Sequence, residues 1–202
     1  MYNAVMVTFK SLSKTPFSLV EPYLCNCDLL SFVPRCIWWK PWTFLTWLIA
    51  FTNRNHICHS AMIVRWNGRV MCVQMTASSY RIVPLEDMVR QFPGKIAVSY
   101  LRGSMSKKKR YLASVYMVEI ISQPYGWFRL MLLGLSHTLT LGWFYPNSCD
   151  DYESPWPPVC SEAYAKAMRK AGYDPCPKLA DSHTEPSDLF ESKRFEPMYV
   201  LV

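Results

Sequence analysis

The residues with the clearest chemical address lie in Pro157-Pro158-Val159-Cys160-Ser161-Glu162. A proline-rich loop gives way there to Val159–Ala171, whose pattern predicts a helix with Gly172 as its stop. The first turn of a helix carries unpaired amide hydrogens and the positive end of the backbone dipole. Both favour thiolate over thiol at Cys160, and the same amides could donate to an oxyanion formed on an attacked carbonyl. A thiolate nucleophile needs a base, usually histidine, and a third polar group to orient the ring. The candidates are His56, His59, His137 and His183. His59 opens the most β-prone run, His59-Ser60-Ala61-Met62-Ile63-Val64, and Gln74 lies on the next predicted strand. From there its amide could reach the far nitrogen of the His59 ring. A helix-start cysteine alone is equally a buried core residue, so the trio carries the reading.

The elements that must position this trio follow from local pattern. His59–Trp66 and Val70–Thr76 read as strands, with Asn67-Gly68 between them as a tight hairpin turn. Ala4–Phe9, Arg81–Val83, Lys95–Arg102 and Met198–Val202 read as further strands, and Lys10–Cys27 as irregular chain. Asp28–Ala50 reads as one or two helices broken near Pro34 and Pro41. Pro84–Val89 reads as the first turn of a helix, and a longer helix runs from Ser104 to the residues before Pro124. The basic run Lys107-Lys108-Lys109-Arg110 at its start is a solvated face or an anion-binding patch. Strands with helices segregated around them predict an α+β fold.

Composition bounds the partners. The 202 residues suit one domain; half are hydrophobic and 18% charged, which argues against overall disorder. The net charge of +7 favours anionic partners without choosing among them. The eight cysteines include no CxxC pair, so a structural zinc site lacks its usual ligands and most thiols are expected reduced and buried. His56 and Cys58 beside His59 resemble a metal cluster, but strand alternation would point neighbours to opposite faces, so no metal and no cofactor is expected. No secretory signal is apparent at the start, which leads to an expectation of a cytoplasmic or virion-associated protein. Two apolar stretches, Cys36–Phe51 and Leu130–Tyr145, are too short to span a bilayer. The first carries Trp38, Trp39, Trp42 and Trp47, which could touch a membrane surface.

The ordered set of motifs resembles the circularly permuted papain-like hydrolases of the NlpC/P60 superfamily, in particular the YiiX-like branch, and more distantly lecithin:retinol acyltransferase-like proteins. In these permuted families the histidine comes first, on a strand, and the cysteine later, at a helix start. His59-Ser60-Ala61-Met62-Ile63-Val64, Val73-Gln74-Met75, Tyr125-Gly126-Trp127, Cys160-Ser161-Glu162 and Glu185-Pro186-Ser187-Asp188-Leu189 match its segments in order. Two departures stand out: Gln74 replaces the Glu or His of many relatives, and Gly126 stands where the family has Asp. The likeness covers residues 55–202, a permuted papain-like core; residues 1–54 would supply a first strand and a Trp-rich cap or interface. It implies Cys160 as nucleophile, His59 as general base and then acid, Gln74 as the orienting group, and Tyr125 and Ser161 as substrate contacts. Glu162 and Asp188 read as helix-start residues.

Three functions compete. The first is a cysteine hydrolase of amide bonds, a peptidoglycan peptide endopeptidase or amidase as the resemblance implies, in a phage-derived setting. The second is a lipid acyltransferase or thioesterase of the same type, with the apolar stretches holding an acyl chain. The third is an inactive structural module of a larger particle, its aromatics serving protein interfaces. Nucleic acid is disfavoured, because no recognised module surrounds the basic run.

Overall fold

The computed structural model describes residues 11–35, 56–75, 80–103, 105–121, 126, 157–177 and 179–202. Within them lie seven strands: β1 (Ser13–Thr15), β2 (Leu29–Pro34), β3 (His59–Trp66), β4 (Arg69–Met75), β5 (Tyr80–Pro84), β6 (Gly94–Leu101) and β7 (Phe195–Leu201). Five helices accompany them: α1 (Phe17–Val20), α2 (Leu85–Gln91), α3 (Lys107–Ile121), α4 (Cys160–Lys170) and α5 (Pro186–Glu191). The strands form one mixed sheet in the order β1-β7-β6-β2-β3-β4-β5. Every neighbouring pair is antiparallel except β1 and β7, which run parallel.

The expected α+β architecture is present, and most predicted elements fall within a residue or two of the observed ones. Two segments depart. Lys10–Cys27, expected to be irregular, holds β1 (Ser13–Thr15) and α1 (Phe17–Val20). The larger departure is Asp28–Pro34. It was expected to be helical, yet Leu29–Pro34 is a strand between β6 and β3. Its first four residues are buried, so both faces of the strand are covered and no apolar–polar alternation marks it. Residues 29–34 therefore belong to the central sheet. The expected strand at residues 4–9 and both long apolar stretches lie outside the described residues.

The hairpin that carries the candidate base forms as expected. Trp66 pairs with Arg69 across a two-residue turn in which Asn67 and Gly68 have φ of 48° and 78°. Positive φ at both central positions suits the twist of a two-residue hairpin. This turn sets the register Met62↔Val73, which leaves Gln74 diagonally across from His59 on the same face.

Two apolar layers hold the sheet. One face packs Leu30, Phe32, Ala61, Ile63, Cys72 and Val98 against Val20 of α1 and Leu85 of α2. The other packs Leu29, Met62, Val64, Val73 and Met75 against Met117 and Ile120 of α3 and against Tyr164, Ala167 and Met168 of α4. Ser31 and Ser60 face each other across β2 and β3, both fully buried. The Tyr164 hydroxyl donates to the Cys27 carbonyl at 2.6 Å and anchors α4 to the chain entering β2.

Candidate active site

Helix α4 begins without a side-chain cap. Val159 precedes it in extended conformation and makes no side-chain cap bond to the first amides. Those amides and the dipole therefore point at the first-turn groups, Cys160 among them. Glu162 sits in the same turn, fully buried and paired with Lys166 at 3.0 Å; Arg169 and Lys170 occupy the last turn. Both ends thus match the helix dipole. The helix-start reading of Glu162 fits this geometry, as does that of Asp188, which closes a capping box with Glu185 at the start of α5.

The trio is assembled. His59 Nε2 lies 2.9 Å from Gln74 Oε1. With the amide oxygen as acceptor, Nε2 carries the proton and the ring turns its other nitrogen toward Cys160, to which His59 is hydrogen-bonded. Phe32, the register partner of His59, lies against the imidazole with ring centroids 5.1 Å apart. Phe92 meets Phe32 edge-on at 5.0 Å. An aromatic wall and a polar tether therefore fix the ring from two sides.

The electrostatics separate Cys160 from the other described thiols. Burial alone raises its pKa. Against that act the neighbouring His59 charge, the hydrogen bond to His59, and the backbone N–H groups of Ser60 and Ser161, and the net direction is down. For His59, burial pulls the pKa down, but the charge and hydrogen bond of Cys160 and the tether to Gln74 outweigh it, and the net direction is up. Opposite shifts in a touching acid and base favour the thiolate–imidazolium pair. Cys27 and Cys176 are pushed up to about 12, chiefly by burial, and Cys58 and Cys72 are pushed up for the same reason. Six described cysteines are free thiols, in line with the reduced reading.

Not every expected residue joins the site in the expected way. Ser161 is buried and its hydroxyl donates to the Thr184 carbonyl at 2.6 Å. The hydroxyl is turned into the fold rather than toward substrate, and the residue reaches the site through its amide. Tyr125 lies outside the described residues, as do Trp38, Trp39, Trp42 and Trp47. Gly126 is described, and its amide donates to the Pro158 carbonyl at 3.2 Å. A β-carbon there would come within 2.2 Å of the Pro157 carbonyl oxygen, so this close approach requires glycine. That contact sets the loop leading into Cys160 and was not read from the sequence, where Gly126 registered only as a missing aspartate.

Cys58 also departs from expectation. Its amide donates to the Phe32 carbonyl at 2.9 Å, so Cys58 and His59 both lie across from Phe32. Cys58 packs on the same face as Phe32, and strict alternation fails at this point. His56 is exposed at φ 57°, and His183 lies in a separate turn beside Ser182.

No protein-family model matches the chain, and no curated protein matches it. Among solved structures it is similar to the metalloprotein YiiX from Escherichia coli O157:H7, with 13% identity, a TM-score of 0.56, and coverage of 86% of this chain and 95% of that one. The chain has a YiiX-like fold. That neighbour is described as a metalloprotein; among the described residues here, no group of three or more His, Cys, Asp or Glu side chains is arranged to hold a metal ion.

Proposed function

We propose that this protein is a cysteine hydrolase that cleaves an amide bond through a covalent thioester. The observation that carries the reading is the hydrogen-bonded chain Cys160–His59–Gln74, with the one described thiol whose pKa is drawn downward at its head. The Cys160 thiolate attacks the carbonyl carbon, and the oxyanion takes hydrogen bonds from amides of the first turn of α4, that of Cys160 first among them. The His59 imidazolium then gives its proton to the leaving amine as the C–N bond breaks. Water, losing a proton to His59, attacks the thioester; the C–S bond breaks, releasing a carboxylic acid and restoring the thiolate–imidazolium pair. Gln74 holds Nε2–H throughout, so the same ring nitrogen handles the proton in both directions.

The substrate class that the sequence resemblance supports best is the peptide part of peptidoglycan. The YiiX-like fold is compatible with this reading and does not select the substrate.

Site-resolved alkylation tests the reaction class. Below pH 7, iodoacetamide is expected to label Cys160 faster than the exposed Cys25, and His59→Ala is expected to slow Cys160 labelling alone. Equal rates at the two cysteines, or a Cys160 rate indifferent to His59, would remove the basis of the assignment. Release of new amino groups from peptidoglycan fragments by wild type, and none by Cys160→Ala, tests the substrate.

A further inference from the structure

The end of the molecule remote from Cys160 has its own chemistry. β3 runs from His59 at the candidate site to Trp66, roughly 25 Å for a strand of this length. α4 likewise runs from Cys160 to a C-terminal turn at which Lys109 lies against Gly172. The chain entering β2 ties the remote end together. Asn26 accepts the Arg65 amide at its side chain at 2.7 Å and the Arg110 guanidinium at its carbonyl at 2.6 Å. Trp66 and Tyr111, the next residues along, are therefore presented on either side of one loop.

Three aromatic rings stand out of this end on three different elements. Tyr23 is 71% exposed, Trp66 51% and Tyr111 63%. Lys107, Lys108 and Lys109 are exposed on the turn before Tyr111. Of the acids nearby, Asp28 pairs with Arg110 at 3.4 Å, Glu196 with Arg102 at 3.5 Å and Asp174 with Arg169 at 3.3 Å, while Glu21 is matched in number by Arg65, whose guanidinium bonds the Glu21 carbonyl. The lysines thus keep a net positive field. Large apolar rings with polar tips beside lysines suit the boundary between water and lipid headgroups, and lysines near an anionic leaflet each add attraction.

We propose that this end is a docking face for an anionic phospholipid bilayer. Tyr23, Trp66 and Tyr111 enter the headgroup layer, and Lys107–Lys109 face the lipid phosphates. The rings sit on three separate elements at one end of the fold, which favours a broad surface over a strand of nucleic acid. Docked this way, the protein holds Cys160 away from the bilayer, facing the aqueous side. This proposal is independent of the hydrolase assignment.

The test is flotation of the full chain with phosphatidylcholine vesicles, with and without phosphatidylglycerol. Binding is expected only with phosphatidylglycerol and is expected to weaken as salt rises. Lys107→Ala, Lys108→Ala and Lys109→Ala combined should lower partitioning about a hundredfold, roughly fivefold per lysine. Trp66→Ala should lower it while leaving the salt dependence in place. All these positions are exposed, and unchanged far-ultraviolet dichroism and thermal midpoint check that the variants fold. No preference for phosphatidylglycerol, or parental binding by both variants, would overturn the proposal. Tighter binding to a DNA duplex than to the anionic vesicles would also overturn it, making nucleic acid the partner.

Discussion

Gln74 sets how the imidazole titrates. As a neutral acceptor at Nε2–H it adds a modest upward pull on the His59 pKa. The active pair needs Cys160 deprotonated and His59 protonated. The rate should therefore rise as pH passes the lowered thiol value and fall as pH passes the raised imidazole value. Gln74→Ala removes one upward pull on His59, so the alkaline limb should move to lower pH. The Cys160 alkylation rate at neutral pH should fall up to about tenfold, the worth of one neutral hydrogen bond. Gln74→Glu places a negative charge at the same nitrogen and should move that limb the opposite way. pH–rate profiles of amide hydrolysis for the three proteins check both directions. Gly126 offers a test by shape rather than charge. Gly126→Ala cannot be accommodated 2.2 Å from the Pro157 carbonyl oxygen, so the loop before Cys160 must shift. Cys160 labelling should slow while that of the exposed Cys25 stays at its parental rate, measured in one digest.

At the scale of elements, α4 is the part on which site and core both depend. Its first turn presents the nucleophile, and Tyr164, one turn on, is wholly buried with its hydroxyl on the Cys27 carbonyl. Tyr164→Phe keeps the ring and removes the donor, leaving a buried carbonyl short of a partner. The expected loss is about 1–3 kcal/mol, read from urea unfolding midpoints. The sequence made some of these elements legible and hid others for physical reasons. The β3–β4 hairpin could be read because Asn67-Gly68 demands one turn geometry, and that geometry fixes the register bringing Gln74 to His59. α4 could be read because prolines precede it and Gly172 follows it. Leu29–Pro34 could not, since a short apolar run buried on both faces looks alike as strand or helix. Nor could the Gly126 contact, which exists only between segments distant in the chain. The Ser161 hydroxyl was misread because a helix-start serine has two sides to face, and packing against Thr184 chose the inner one.

At the scale of the whole molecule, buried carboxyl groups shape the response to pH. Asp181 has its pKa raised to about 6, chiefly by burial, with Arg169 at 3.0 Å opposing. A carboxyl whose folded pKa lies above its unfolded value binds its proton more tightly in the folded state. Its contribution to stability is therefore full below the unfolded value and is lost as pH rises through about 6. Asp181→Asn should remove that part of the slope. Thermal midpoints of wild type and variant, compared between acid and neutral pH, should diverge in that sense. Asp28, also raised chiefly by burial, pulls in the same direction beside Arg110.

The order of the chain has a consequence in time. His59 and Gln74 are joined by a two-residue turn and can meet as soon as that hairpin leaves the ribosome, whereas Cys160 arrives much later on a separate helix. β7, which slots between β1 and β6, comes later still. The base and its tether thus wait, pre-oriented, for a sulfur not yet made. A chain stalled or clipped between β6 and α4 would carry no nucleophile. One stopped within α4 would lack β7 between β1 and β6, so the finished sheet behind this site belongs to the nearly complete molecule.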